Sequence, residues 1–269
     1  MLPDPIFLNV HMYGVMIAVG LGIAFLVLTL FGKRIGLHEK FSDFIFYNAM
    51  ASIMIGFGSA ALFQAIYDYI ENPAAGFSFN GGITFIGGLI GGAGFFLLVY
   101  IILRKRLTGR LIDMLSMAPC VITVAHAFGR IGCFFAGCCY GKETDSIFGV
   151  QFPHLFHKVH PTQLYEAVFL FVLFIVCSLL LLKWKFQYNM SVYLIAYGAF
   201  RFVLEFFRGD DRGAFLGIIS PSQFWSLLMI VLGFVCIPLT THALRRRAEE
   251  LAKQQTPADE GVITDSESN

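Results

Sequence analysis

Apolar residues along this chain fall into seven long blocks separated by short charged punctuation, covering about 12–31, 44–66, 83–103, 111–129, 162–182, 190–207 and 221–241. Each approaches the roughly 20 mainly apolar residues that a helix needs to cross a bilayer. The pattern predicts an all-α integral membrane protein with seven transmembrane helices. The fourth and sixth blocks are the weakest, because charge intrudes on them. No basic stretch precedes the first block and no small-residue cleavage site follows it, so it is expected to stay in place as an anchor.

The polar connections set the orientation, because loops rich in Lys and Arg are retained in the cytoplasm. The first, third and fifth loops and the tail hold 13 of the 19 basic residues: Lys33, Arg34, Lys40, Arg104, Lys105, Arg106, Arg110, Lys183, Lys185, Arg245, Arg246, Arg247 and Lys253. Arg130, Lys142, Lys158, Arg208 and Arg212 fall on the opposite side, and Arg201 lies inside a helix. The N terminus is therefore expected outside and the C terminus in the cytoplasm. A membrane domain over 1–244 carries one long external loop at 131–161, and 245–269 reads as a disordered cytoplasmic tail, being polar and without apolar periodicity.

Composition agrees. The chain of 269 residues is 57% hydrophobic and 14% charged, against about 25% charged in soluble domains. Thirty Phe and 27 Gly suit a protein whose aromatics meet lipid and whose helices approach closely. A net charge of +1 argues against nucleic-acid binding.

The charges that a membrane protein could have avoided are the most informative residues. Tyr197, Arg201, Glu205 and Arg208 are spaced i, i+4, i+8 and i+11, one stripe down the sixth helix. An ionised group at a helix centre costs about 2.5–3.5 kcal/mol to insert, so such groups face a bundle interior or a wet cavity. Arg201 and Glu205 as a neutral packing pair is the structural alternative, and it leaves Arg208 and Arg130 unexplained. Guanidiniums converging at the outer half of the membrane would make a fork-shaped anion site suited to a lipid phosphate.

His126 lies four residues before Arg130 on the same helix face. It reads either as a packing histidine or as a neutral imidazole able to accept a proton. Cys133, Cys138 and Cys139 put three thiols within seven residues. They suit a disulfide, a soft metal or thiol exchange. A zinc reading is weak, since no second cysteine pair accompanies them, although His154, His157 and His160 follow, and adjacent cysteines tend to project differently.

Four segments then form a recognisable series: Gly87-Gly88-Leu89-Ile90-Gly91-Gly92, Gly129-Arg130-Ile131-Gly132, His160-Pro161-Thr162-Gln163-Leu164-Tyr165-Glu166-Ala167, and the run from Tyr197 to Arg208. With Tyr13-Gly14 on the first helix, they resemble, in the same order, the motifs of prolipoprotein diacylglyceryl transferases. The resemblance covers about residues 10 to 240. It implies a multi-pass protein of the bacterial cytoplasmic (inner) membrane with an external N terminus. It also implies transfer of the diacylglyceryl unit of phosphatidylglycerol to the lipobox cysteine in the signal peptide of a prolipoprotein. The implied partners are phosphatidylglycerol, the prolipoprotein and membrane lipid, with no metal or cofactor. Arg130 and Arg201 would hold the phosphate, with Glu205 fixing Arg201. Tyr13 and Tyr197 would donate hydrogen bonds to lipid oxygens, Arg208 would guard the outer mouth, and Gly87 and Gly88 would let backbone approach the headgroup.

Three positions depart from the family pattern. Ile86 stands where the family usually has a histidine, Cys133 where it has asparagine and Cys138 where it has glutamate. The family's implied proton acceptor is thus missing, and His126 is the most economical substitute. A paralogue that keeps the phospholipid site but uses another acceptor or a thiol-redox role is the main alternative. A transporter is less favoured, because discontinuous helices and paired repeats are not visible.

Overall fold

The computed structural model describes residues 11–79, 82, 84–209 and 219–255. Seven helices dominate: α1 (Met12–Arg34), α2 (Glu39–Glu71), α3 (Phe85–Leu103), α4 (Leu111–Ala136), α5 (Thr162–Trp184), α6 (Asn189–Leu204) and α7 (Pro221–Gln255). All are long and apolar enough to cross a membrane, α6 with its following turn included. Most starts and stops lie within a few residues of the sequence expectation. Arg212 and residues 256–269 lie outside the described residues.

Two boundaries differ substantially. Helix α4 runs to Ala136, so Arg130 and Cys133 are helical and the long connection begins at Gly137 rather than at 131. The apolar residues Ile131, Phe134 and Phe135 extend the helix, and Gly137 ends it with a left-handed backbone at φ 68°. Helix α7 continues to Gln255, so 245–255 is helix and not a disordered tail. A helix leaving a span already has its nucleus, so polar helix formers need only propagate it. Two ion pairs to α4 anchor the extension, Arg247 to Asp113 and Glu250 to Arg110.

Helix α4 is the hub: it packs on α1, α5 and α6, while α6 packs on α7 and α3 chiefly on α2. The apolar core reaches from Val27, Phe41 and Ile45 through Met117, Val124 and Ala127 to Leu170, Leu173 and Tyr193. Small residues set the close contacts. A Cβ on Gly198 would come within 2.8 Å of the Ser226 carbonyl of α7, and one on Gly92 within 3.0 Å of the Ser52 carbonyl of α2. Polar stitches add direction. The buried amide of Asn189 on α6 donates to the Ser116 carbonyl of α4 and the Cys177 carbonyl of α5, both at 3.0 Å, and its Oδ1 has no partner among the described residues.

The 137–161 connection folds back onto the end of α6. A short antiparallel pair, β1 (Val150–Gln151) and β2 (Lys158–Val159), gives it a spine. Lys142 N–H donates to the Phe207 carbonyl at 2.8 Å, and Gly141 N–H to the His160 carbonyl at 2.8 Å. Phe152 is buried beneath the loop between Phe134 and Tyr140. These ties fix the loop over one end of the bundle, called the loop end below.

Candidate active site

At the loop end, α4, α5 and α6 converge on a buried carboxylate. Glu166 sits in the second turn of α5 and is 1% exposed. Its Oε2 lies 3.0 Å from Arg130 Nε, and Tyr197 donates its hydroxyl to Oε1 at 2.7 Å. His126, one turn before Arg130 on α4, brings Nε2 to 3.6 Å from Glu166 Oε1 and accepts from Arg130 Nε at 3.3 Å. The imidazole stands edge-on to the Tyr197 ring, 5.3 Å between centroids. Three helices thus supply an arginine, a carboxylate, an imidazole and a phenol to one point, each within reach of at least two others.

A second pair lies on α6 and the turn that follows it. Arg201 Nη2 contacts Glu205 Oε2 at 2.9 Å and donates to Ser222 Oγ of α7 at 3.1 Å. Glu205 Oε1 accepts from Ser220 Oγ at 3.0 Å. Arg201 Nη1 is buried and meets no acceptor among the described residues. An unanswered guanidinium donor in such a place is costly unless a ligand supplies the oxygen. The charge of Arg201 is felt at both His126 and Glu166, so the two pairs share one electrostatic environment. Each arginine is matched by a carboxylate, which offsets part of the cost of burying its charge while leaving donors for an anion.

The expected residues divide accordingly. Arg130, His126 and Tyr197 meet at Glu166, with Arg201 and Glu205 next to them. Tyr13 on α1 lies at the same end, its ring 3.1 Å from where a Cβ on Gly132 would sit and within electrostatic reach of Arg130 and Cys133. Arg208 departs from the stripe. Helix α6 ends at Leu204, a 3₁₀ turn spans Glu205–Phe207, and Arg208 is extended at φ −79° and ψ 144°. Its buried side chain turns to Cys139, and its backbone bridges to Gly141. Gly87 and Gly88 pack α3 against Phe63, Ser59 and Ala60 of α2, and Ser59 Oγ donates to the Gly87 carbonyl. They form a helix seam, in which a Cβ on Gly87 would clash with Phe63 while one on Gly88 would only touch Ala60. Ile86 stays on the exposed side of α3.

Glu166 is the residue that sequence reasoning passed over. It stands inside the His160 to Ala167 motif and off the charged stripe of the sixth helix, although a carboxylate within an apolar helix carries the same burial cost as an arginine. Ser220 and Ser222 give no sequence signal of their own.

The thiols of Cys133 near the end of α4 and of Cys138 and Cys139 in the loop converge. Sγ of Cys133, Cys138 and Cys139 all lie within 4.8 Å of one another, contrary to the expectation that the adjacent pair would project apart. The reason is backbone: Cys139 adopts φ 64°, a left-handed conformation, two residues after left-handed Gly137. Hydrogen bonds from Cys133 and Cys138, with Arg208 adding its charge, hold the Cys139 thiol below the usual thiol range. The bonds to Cys133 and then Cys139 push Cys138 above it.

Residues 5–239 match the family model described as prolipoprotein diacylglyceryl transferase. The chain is 37% identical over 238 residues to a protein of Clostridium tetani named phosphatidylglycerol–prolipoprotein diacylglyceryl transferase, covering 84% of this chain and 91% of the relative. A Clostridium perfringens protein bearing that name with the suffix 2 is 30% identical over 243 residues, covering 85% and 90%. A Xylella fastidiosa protein of the same name is 32% identical over 266 residues, covering 84% and 87%.

Proposed function

The chain belongs to the prolipoprotein diacylglyceryl transferase family, and we propose that it moves the diacylglyceryl group of phosphatidylglycerol onto the lipobox cysteine of a prolipoprotein. The observation that carries this reading is the pair of carboxylate-matched arginines at one end of the bundle, Arg130 half-buried against buried Glu166 and Arg201 buried with a donor unanswered among the described residues. The reaction breaks a carbon–oxygen bond to phosphate and forms a carbon–sulfur bond. Negative charge collects on the departing glycerol phosphate, and a preorganised guanidinium stabilises it most where water is scarce. Arg201 Nη1 accepts that task first. Arg130 joins when the lipid phosphate draws its Nε–H away from His126.

That exchange also readies a base. While Arg130 donates to His126 Nε2, the nitrogen lone pair is occupied. Once Arg130 turns to phosphate, Nε2 is free to take the proton of the incoming thiol, since the thiolate is the nucleophile. The imidazolium so formed faces Glu166 Oε1, 3.6 Å away, which stabilises it. The thiol proton thus ends on His126, the sulfur holds the lipid, and glycerol phosphate leaves. Tyr13 in this reading offers its hydroxyl to lipid oxygens. In this reading Arg208 holds the loop over the site, and Gly87 and Gly88 position α3.

The basic-residue asymmetry supports placing the loop end outside the bacterial cytoplasmic membrane, facing the secreted precursor, with the α7 extension in the cytoplasm. The converging thiols favour a second reading in which the same phospholipid bundle serves another acceptor or a thiol-redox role. Purified protein given phosphatidylglycerol and a lipobox peptide decides between them. Thioether-linked peptide with stoichiometric glycerol phosphate is expected. Glycerol phosphate released only when a non-lipobox thiol is supplied would favour the second reading.

A further inference from the structure

The transfer chemistry above makes no use of the three thiols, although the fold gathers them at one point. We propose that Cys133, Cys138 and Cys139 form a three-sulfur site for a soft monovalent d¹⁰ cation, with Cu(I) as its ligand. The geometry is the first argument. A metal–sulfur bond of about 2.3 Å places the sulfurs around one ion about 4 Å apart. Three sulfurs mutually within 4.8 Å need only a small contraction to reach this. Convergence is built into the backbone, since left-handed Gly137 and Cys139 bracket Cys138 and turn it back beneath the end of α4. Cys138 N–H is tied to the Cys133 carbonyl at 3.2 Å, which holds the turn closed before any ion binds.

Ligand type and number select the ion. An all-thiolate set favours soft cations. Zinc almost always takes four ligands in a structural site, and among the described residues the cluster has three cysteines and no histidine or carboxylate. Two of the three histidines that follow are engaged elsewhere: His157 Nε2 pairs with Glu143 at 2.9 Å, and His160 Nδ1 bonds Tyr165 hydroxyl at 3.1 Å. Three thiolates around a monovalent ion leave a net charge of −2. The guanidinium of Arg208 reaches Cys139, and Arg130 lies one helical turn from Cys133, so positive charge faces the cluster from two sides. Cys138 is exposed, which leaves a path for an ion to enter.

The test uses full-length protein in detergent, reduced and then titrated with Cu(I) against a chromophoric Cu(I) chelator. One copper per chain is expected, and X-ray absorption on the wild-type complex should count three sulfur ligands. Serine at Cys133, Cys138 or Cys139 should each weaken binding by more than the roughly 10–100-fold that loss of an outer partner costs, while Cys236→Ser leaves it unchanged. Arg208→Ala should fall within that 10–100-fold range. Because the sulfur count is read on unaltered protein, it stands even if a serine variant folds poorly. Two sulfurs or fewer, undiminished binding in the triple serine variant, or tighter four-coordinate zinc binding would each overturn the proposal. So would a disulfide between any two of the three in protein isolated without reductant.

Discussion

Glu166→Gln tests whether the buried carboxylate organises the site. The substitution keeps volume, and the amide oxygen can still accept from Tyr197, 2.7 Å away. Its NH₂ must then face Arg130 Nε, placing donor against donor. Glu166 is 1% exposed, so water reaches the stranded Arg130 charge only from the half-buried side away from the carboxylate. Removing one partner of a buried ion pair costs about 3–5 kcal/mol. The retained Tyr197 bond and the His126 acceptor at 3.3 Å place the expectation at the lower end, about 3 kcal/mol, or roughly a hundredfold in the folding equilibrium. Turnover per folded molecule should fall by about 10²–10³, since Arg130 loses the carboxylate that aims it. Joint replacement, Glu166→Gln with Arg130→Gln, should recover most of the stability and none of the turnover. Cys120 and Cys177, both 0% exposed, report unfolding by thiol labelling once the accessible cysteines have been blocked. Wild-type stability and turnover in Glu166→Gln would refute the assignment. A joint variant no more stable than the single one would show that a stranded charge is not the cause.

Arg201→Ala should lower turnover by about 10²–10³ with the protein still inserted, and Arg201→Lys should rescue only in part because it loses the planar fork; wild-type rates at equal expression would remove Arg201 from the site. His126→Ala should slow turnover by about 10²–10⁴, and the deficit should shrink as pH rises toward the substrate thiol's pKa of about 8.5. A pH-independent rate equal to wild type would leave His126 as a packing residue. Membrane-impermeant labelling should find Lys142 outside and Arg245 to Arg247 inside, and the reverse pattern would overturn the orientation. With its pKa lowered in the folded protein, Cys139 is already thiolate below the pH at which Cys138 ionises, so alkylation near pH 7 followed by peptide mapping should mark Cys139 before Cys138.

The spans were legible because a bilayer imposes length and apolarity on each helix separately, and neither depends on neighbours. Arg130, His126, Tyr197, Arg201 and Glu205 were legible for a related reason: polarity within a span needs an explanation. Arg208 was misplaced because helical spacing was extended past Leu204, where the loop's backbone bonds compete successfully for the chain. The meeting of Cys138 and Cys139 with Cys133 was hidden because it rests on a left-handed residue that is not glycine. Gly87 and Gly88 looked like open approach for a ligand, whereas the packing of α2 on α3 uses the same absence of side chain. The helical end of α7 depends on Asp113 and Arg110, more than 130 positions away, and no local pattern announces such a pairing.

The Asn189 amide has a consequence for biosynthesis. Its two hydrogens are received by backbone carbonyls of α4 and α5, helices that emerge earlier in translation. Those carbonyls belong to helices already formed and lose little while they wait, whereas a carboxamide in hydrocarbon without acceptors is costly. The sixth span is therefore best received by α4 and α5 already side by side, since one amide needs a carbonyl from each. Glu166 and Arg130 both belong to that earlier pair. Chain order thus lets the carboxylate and its arginine come together on α4 and α5 independently of the helix that brings Tyr197 and the second arginine.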